Sequence, residues 1–81
     1  MYFVYIVKCA DNTFYTGIAT ELERRIEEHN GSDKGAKYTR VRRPVSLVYS
    51  EEYPDRSSAS KREYEIEKKM SRVEKLNLIK S

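Results

Sequence analysis

An α+β fold is predicted for this chain, in the order β-β-α-(short α)-β-α-α, and three observations predict it. Tyr2 to Cys9 and Phe14 to Ile18 are runs of β-branched and aromatic residues around the turn formers Asp11 and Asn12, the pattern of a β-hairpin. A third such run, Val45 to Tyr49 with an extension to Tyr53, lies between Pro44 and Pro54. Helical spacing of apolar residues fills the segments on both sides of that third run.

The first strand carries Phe3, Tyr5 and Val7 on one face and Val4 and Ile6 on the other. Both faces are apolar, which predicts a central strand covered on both sides. Gly17 in the return strand suits a bulge or a close backbone approach. Thr20 is the expected cap of the next helix, with Glu21 and Glu23 in its first turn, where the helix dipole favours anions. Leu22, Ile26 and His29 form one stripe on that helix, and Arg25 leans on the same side one turn before His29. Asn30-Gly31 is an expected C-cap.

Ser32 to Arg43 reads as a loop with turn formers Asp33 and Gly35 and a short helix around Ala36 to Thr39. From Lys34 to Arg43 it holds five cations (Lys34, Lys37, Arg40, Arg42, Arg43) and no carboxylate, so it would attract a polyanion; a solvated loop is the plainer reading. Ser57 or Asp55 caps the following helix, expected to run to about Lys69. Ala59, Glu63, Ile66 and Met70 fall within a narrow arc of it at about 100° per residue, with Glu65 and Glu67 on other sides. Ser71-Arg72-Val73-Glu74 is a capping box that starts a separate last helix.

The chain of 81 residues is expected to form a single domain, 1–81, with a densely ionic surface, since 36% of residues are charged. Its single cysteine, Cys9, allows no internal disulfide and fits a reducing compartment. No apolar run approaches the roughly 20 residues of a membrane span, and Met1 leads directly into a strand. A cytoplasmic protein without a membrane partner is the expectation.

A carboxylate on an apolar helical stripe is costly unless it is paired or binds a metal. Glu63 therefore calls for a partner, with Arg25 and a divalent cation as the two candidates. The plainer readings are a buried Glu63–Arg25 salt bridge, a hydrogen-bonded structural His29, and Tyr5 and Tyr15 as core aromatics. Taken together, two tyrosines on adjacent strands, an arginine and a histidine one turn apart, and a carboxylate on another helix are the parts for metal-assisted phosphodiester cleavage. The carboxylate holds the metal, the arginine neutralises charge on the phosphate, and a tyrosine or histidine moves a proton.

These residues also carry a family resemblance. Val4-Tyr5-Ile6 and Tyr15-Thr16-Gly17 are similar to the two half-motifs of the GIY-YIG nuclease superfamily. Leu22 to Asn30 resembles the helix carrying its arginine, with histidine four residues on. Gly35-Ala36-Lys37-Tyr38-Thr39 resembles a loop of its structure-specific endonuclease branch, and Ala59 to Glu63 resembles the helix ending in its metal-binding glutamate. The likeness covers nearly the whole chain and is greatest to the small stand-alone bacterial members. Val4 stands where the first half-motif expects glycine, Thr16 replaces the middle isoleucine of the second, and Ile18 stands where some excision-repair members carry a lysine.

The resemblance implies a three-stranded antiparallel sheet flanked by helices and a DNA endonuclease with a role in repair or recombination. It implies one Mg²⁺ or Mn²⁺ on Glu63, and Arg25, rather than Arg24, on the scissile phosphate. Tyr5 and Tyr15 would line the pocket, one of them as general base or water-positioning group, with His29 assisting. Gly17 would let the backbone approach, and Lys37, Tyr38, Arg40, Arg42 and Arg43 would hold DNA, which is expected to be branched, nicked or single-stranded. With no second domain in the chain, specificity would come from DNA shape, a protein partner or dimerisation. The alternative function is a nucleic-acid-binding or partner-binding module with an inactive or partner-dependent pocket.

Overall fold

The structure is a computed structural model that describes residues 1–31 and 34–81. Ser32 and Asp33, the latter an expected turn former, lie outside the described residues. Three antiparallel strands, β1 (Tyr2–Lys8), β2 (Phe14–Ala19) and β3 (Ser46–Tyr53), form one sheet in the order β2-β1-β3. The doubly apolar strand β1 is thus central. Helices α1 (Leu22–Gly31) and α2 (Lys37–Arg40) precede β3, and α3 (Arg56–Tyr64) and α4 (Arg72–Lys80) follow it.

Alternation along β1 builds a core on each face of the sheet. Val4 and Ile6 pack with Ala59 and Ile66 on one side. Tyr5 and Val7 pack with Cys9 and Val45 on the other, under Leu22 and Ile26 of α1. The hairpin turn has Asn12 at φ 68°, a left-handed conformation that asparagine tolerates. Cross-strand register sets Tyr5 opposite Gly17, and a Cβ on Gly17 would lie 2.4 Å from the Tyr5 hydroxyl. The close approach expected at Gly17 is therefore made by the ring of Tyr5. The bulge falls instead in β3, where Ile6 pairs with Tyr49 and Val7 with Leu47, leaving Val48 as the extra residue.

Three expectations about the helices need correction. Helix α1 begins at Leu22, and its first bond runs from the Arg25 N–H to the Glu21 carbonyl, so Glu21 rather than Thr20 takes the capping position. Asn30-Gly31 does not form a glycine C-cap, since Gly31 is helical and no described glycine has a positive φ. The Arg43 guanidinium closes that helix end, donating from Nε to the His29 carbonyl at 2.6 Å, while the Asn30 amide exchanges two hydrogen bonds with the backbone of Val45. Finally, α3 does not continue to Lys69 as an α-helix: beyond Tyr64 the chain widens into a π-helical turn, Glu65–Lys69. Asp55 is the cap of α3, accepting from the Ser58 N–H, and Ser71 with Glu74 completes the capping box of α4.

Candidate active site

The expected site residues divide between the two layers of the fold. Tyr5 of β1, Tyr15 of β2 and Arg25 and His29 of α1 converge on one face of the sheet. The centre of the cluster is a hydrogen bond of 2.7 Å between Tyr5 Oη and His29 Nε2, both side chains being fully buried. The other ring nitrogen, His29 Nδ1, meets Thr39 Oγ1 at 2.9 Å. Tyr15 lies edge-on to His29 with ring centroids 5.3 Å apart and stacks on Tyr38 at 5.9 Å. Gly35 allows the loop before α2 to reach this cluster: a Cβ there would lie 2.6 Å from the Glu28 carbonyl oxygen.

Burial and charge set the protonation of this group. Burial pushes the Tyr5 phenol up to about 12, against the pull of the nearby Arg25 guanidinium. Burial, together with the positive charge of Arg25, pushes His29 down to about 4, so the imidazole is neutral at physiological pH. Burial also raises Tyr15, and no side chain among the described residues bonds its half-buried hydroxyl.

Arg25 and Arg24 are clearly distinguished. The Arg25 side chain is 26% exposed, bonded to Glu28 Oε1 at 2.9 Å and to the Lys34 carbonyl at 2.7 Å. The Arg24 side chain is 63% exposed and pairs outward with Glu21. Arg25 does not pair with Glu63, so the buried salt bridge considered above is absent: Glu28, one turn along the same helix, takes that place.

Glu63 comes from α3 on the other layer, which also packs across β2. Its carboxylate is half-buried and has no ion pair or hydrogen bond among the described residues. Burial raises its pKa, the nearby Glu67 adds to this, and Arg56 opposes it. Its charge contributes to raising both Tyr5 and Tyr15. A half-buried, unpartnered oxygen donor fits a hard divalent cation that takes one carboxylate and keeps several waters. Glu63 could hold such an ion, with Glu67 as its acidic neighbour, and among the described residues no group of three His, Cys, Asp or Glu is placed to hold one.

The basic segment is more structural than expected. Arg43 closes α1, and Arg42 is fixed by Asp11 at 3.0 Å and lies 3.9 Å over the ring of Tyr38. Lys37, Tyr38 and Arg40 of α2 are exposed. A cavity of about 310 Å³ opens beside the cluster, lined by Arg24, Arg25 and Arg56 together with Tyr2, Thr20 and Glu28.

The sequence reading passes over Thr39 and Arg56, and it sets on another side of the helix a residue that acts on Glu63, Glu67. Arg56 and Glu67 carried a signal, since they stand seven residues before and four after Glu63, spacings that share a helical face. Thr39 carried none, because a lone threonine in a short helix has no periodicity to reveal its direction.

Comparison with known proteins agrees with this geometry. The GIY-YIG catalytic domain matches residues 1–77. A UPF0213 protein of Desulfotalea psychrophila is 62% identical over 80 residues, covering 99% of this chain and 72% of its own. One of Staphylococcus aureus is 58% identical over 79 residues, covering 98% and 94%. The solution NMR structure of a UPF0213 protein from Bacillus halodurans superposes with a TM-score of 0.62 at 44% identity, covering 99% of this chain and 84% of that one. A solution NMR structure from E. faecalis gives 0.66 at 43% identity, covering 98% and 82%. The buried Tyr5–His29 pair, the inward Arg25 and the unpartnered Glu63 thus sit within a chain that belongs to the GIY-YIG family, whose domain is that of a nuclease.

Proposed function

We propose that this protein is a divalent-metal-dependent endonuclease that hydrolyses DNA phosphodiester bonds. The observation that carries the reading is the combination of a neutral, buried Tyr5–His29 pair with a carboxylate, Glu63, that has no hydrogen bond or ion pair among the described residues. A purely structural polar core would pair its carboxylate with its arginine; here the two are held apart.

Each residue then has a distinct task. Arg25 is fixed by Glu28 and the Lys34 carbonyl with part of its guanidinium open, and it binds the scissile phosphate and offsets the charge that develops there. The half-buried Tyr15 hydroxyl orients the attacking water. A proton released at that water reaches Tyr5 Oη as Tyr5 passes its own to His29 Nε2, 2.7 Å away. Mg²⁺ or Mn²⁺ on Glu63, when bound, supplies positive charge for the leaving oxygen. Arg24 and Arg56 line the adjacent cavity, and Lys37 and Arg40 extend the cationic surface, so the flanking DNA backbone is gripped by charge rather than by base contacts.

The test is cleavage of labelled single-stranded, duplex, nicked, flap and four-way DNA in Mg²⁺, Mn²⁺ or chelator. Cutting of at least one substrate that stops in chelator and falls at least about a hundredfold in Arg25→Ala is expected. Binding to every substrate without cutting any would refute the reading and favour a binding module.

A further inference from the structure

We infer that Thr39 is a positioning residue that fixes His29 in its Nδ1–H tautomer, leaving Nε2 as the acceptor for the Tyr5 proton. The inference rests on the nuclease reading for its catalytic consequence, but not for the tautomer itself. Thr39 is fully buried in α2, a segment whose resemblance to an endonuclease loop assigned it no task.

Three heteroatom contacts form one line through the imidazole. Tyr5 Oη lies 2.7 Å from Nε2, Nδ1 lies 2.9 Å from Thr39 Oγ1, and Thr39 Oγ1 lies 2.9 Å from the Ala36 carbonyl oxygen. A carbonyl can only accept, so the Thr39 hydroxyl gives its one proton to Ala36 and offers a lone pair to the ring. Nδ1 then carries the hydrogen, and Nε2 of the neutral ring accepts from the Tyr5 O–H. Every donor on this line has an acceptor. In the opposite tautomer Nε2–H would occupy the Tyr5 oxygen, and the buried Tyr5 O–H would have no acceptor among the described residues. The Ala36 N–H also faces Nδ1, but at 3.4 Å it is the longest and weakest of the contacts to the ring, 2.9 Å separating Nδ1 from Thr39 Oγ1.

The loop is built to hold this arrangement. Gly35 brings it against the last turn of α1, as no residue with a side chain could without displacing the Glu28 carbonyl. The Thr39 N–H and the Arg40 N–H also point to the Ala36 carbonyl, so the acceptor is fixed from several directions. An imidazole locked this way meets each turnover with its lone pair toward Tyr5 and needs no ring flip.

The chain has one histidine, so its ring-nitrogen NMR spectrum is unambiguous. At neutral pH the wild type should show a protonated Nδ1 and an unprotonated Nε2. Thr39→Ser, which keeps the hydroxyl, should match it. Thr39→Val, close in shape but without the hydroxyl, should shift toward the Nε2–H form and lose kcat on the order of tenfold or more with KM little changed. A wild-type ring protonated on Nε2, or a folded Thr39→Val that keeps the wild-type spectrum, would overturn the inference. If Thr39→Val does not fold, the wild-type and Thr39→Ser spectra decide alone. The spectrum reads the tautomer whether or not DNA is cut, so failure of this inference and failure of the nuclease reading appear in different measurements.

Discussion

Tyr5 is a fully buried phenol whose hydroxyl lies 2.7 Å from a neutral imidazole, that of His29. Removal of its oxygen in Tyr5→Phe should cost about 1–3 kcal/mol of stability, because the buried His29 Nε2 is left without a partner. It should lower kcat by roughly 10²- to 10⁴-fold, the range of a lost proton-transfer group. Denaturation and single-turnover cleavage of the same preparation check both, and an unchanged kcat would remove Tyr5 from the chemistry. Gly17→Ala should also act through Tyr5, because the new methyl would sit 2.4 Å from its hydroxyl. We expect a loss of about 1–3 kcal/mol by overpacking, read as a lower denaturation midpoint. At this scale the sequence was informative wherever a residue was out of character for its pattern: Arg25 and His29 on a semi-apolar helix, Glu63 on an apolar stripe. Arg43 broke no pattern, since its partners are the carbonyls of a helix end far away in sequence, and its structural task was hidden.

The sheet was legible because its strands alternate and one of them alternates apolar on both faces. The end of α1 was misjudged because a glycine in the right place suggested a local cap, whereas a distant arginine and the Asn30–Val45 pair did the work. The π-helical turn after Tyr64 has no sequence signature of its own, and it extends the helix that docks against the sheet. That docking is set by Glu51 of β3, which accepts from Arg62 Nε at 2.9 Å and Nη2 at 3.0 Å and from the hydroxyls of Tyr49 and Tyr53. Arg62 precedes Glu63, so the same contact anchors the helix that carries the carboxylate proposed to hold the metal. Glu51→Gln removes the charge of one of the two carboxylates paired with half-buried Arg62, leaving Glu65 as the other. It should lower stability by about 1–3 kcal/mol and reduce cleavage more steeply at low metal concentration than at saturation. A midpoint shift with no change in metal dependence would limit Glu51 to a structural role.

For the molecule as a whole, two bulk properties follow from charge. The net charge is +3, with exposed cations on α2 and around the arginine-lined cavity, so DNA affinity should fall steeply and log-linearly with salt. Arg56→Ala should weaken binding across all sequences and flatten that slope, as a phosphate contact does. The folded state holds His29 neutral down to about pH 4, whereas the unfolded chain protonates it near 6.5. Protons therefore favour the unfolded chain in that window, and stability should decline as pH falls from 6.5 toward 4. His29→Gln should flatten the decline, which denaturation at several pH values would reveal. No helix among the described residues is long and apolar enough to cross a membrane.

The most direct test of the central claim compares the wild type with Glu63→Gln on one cleavable DNA substrate, in Mg²⁺, Mn²⁺ and chelator, with the thermal midpoint of both proteins measured alongside. Glu63 is half-buried and makes no hydrogen bond or ion pair among the described residues that glutamine would break. The account predicts that metal-dependent cutting disappears in the variant while the midpoint stays level or rises. Equal cutting by both proteins, or a variant that loses cutting only because its midpoint has collapsed, would contradict it.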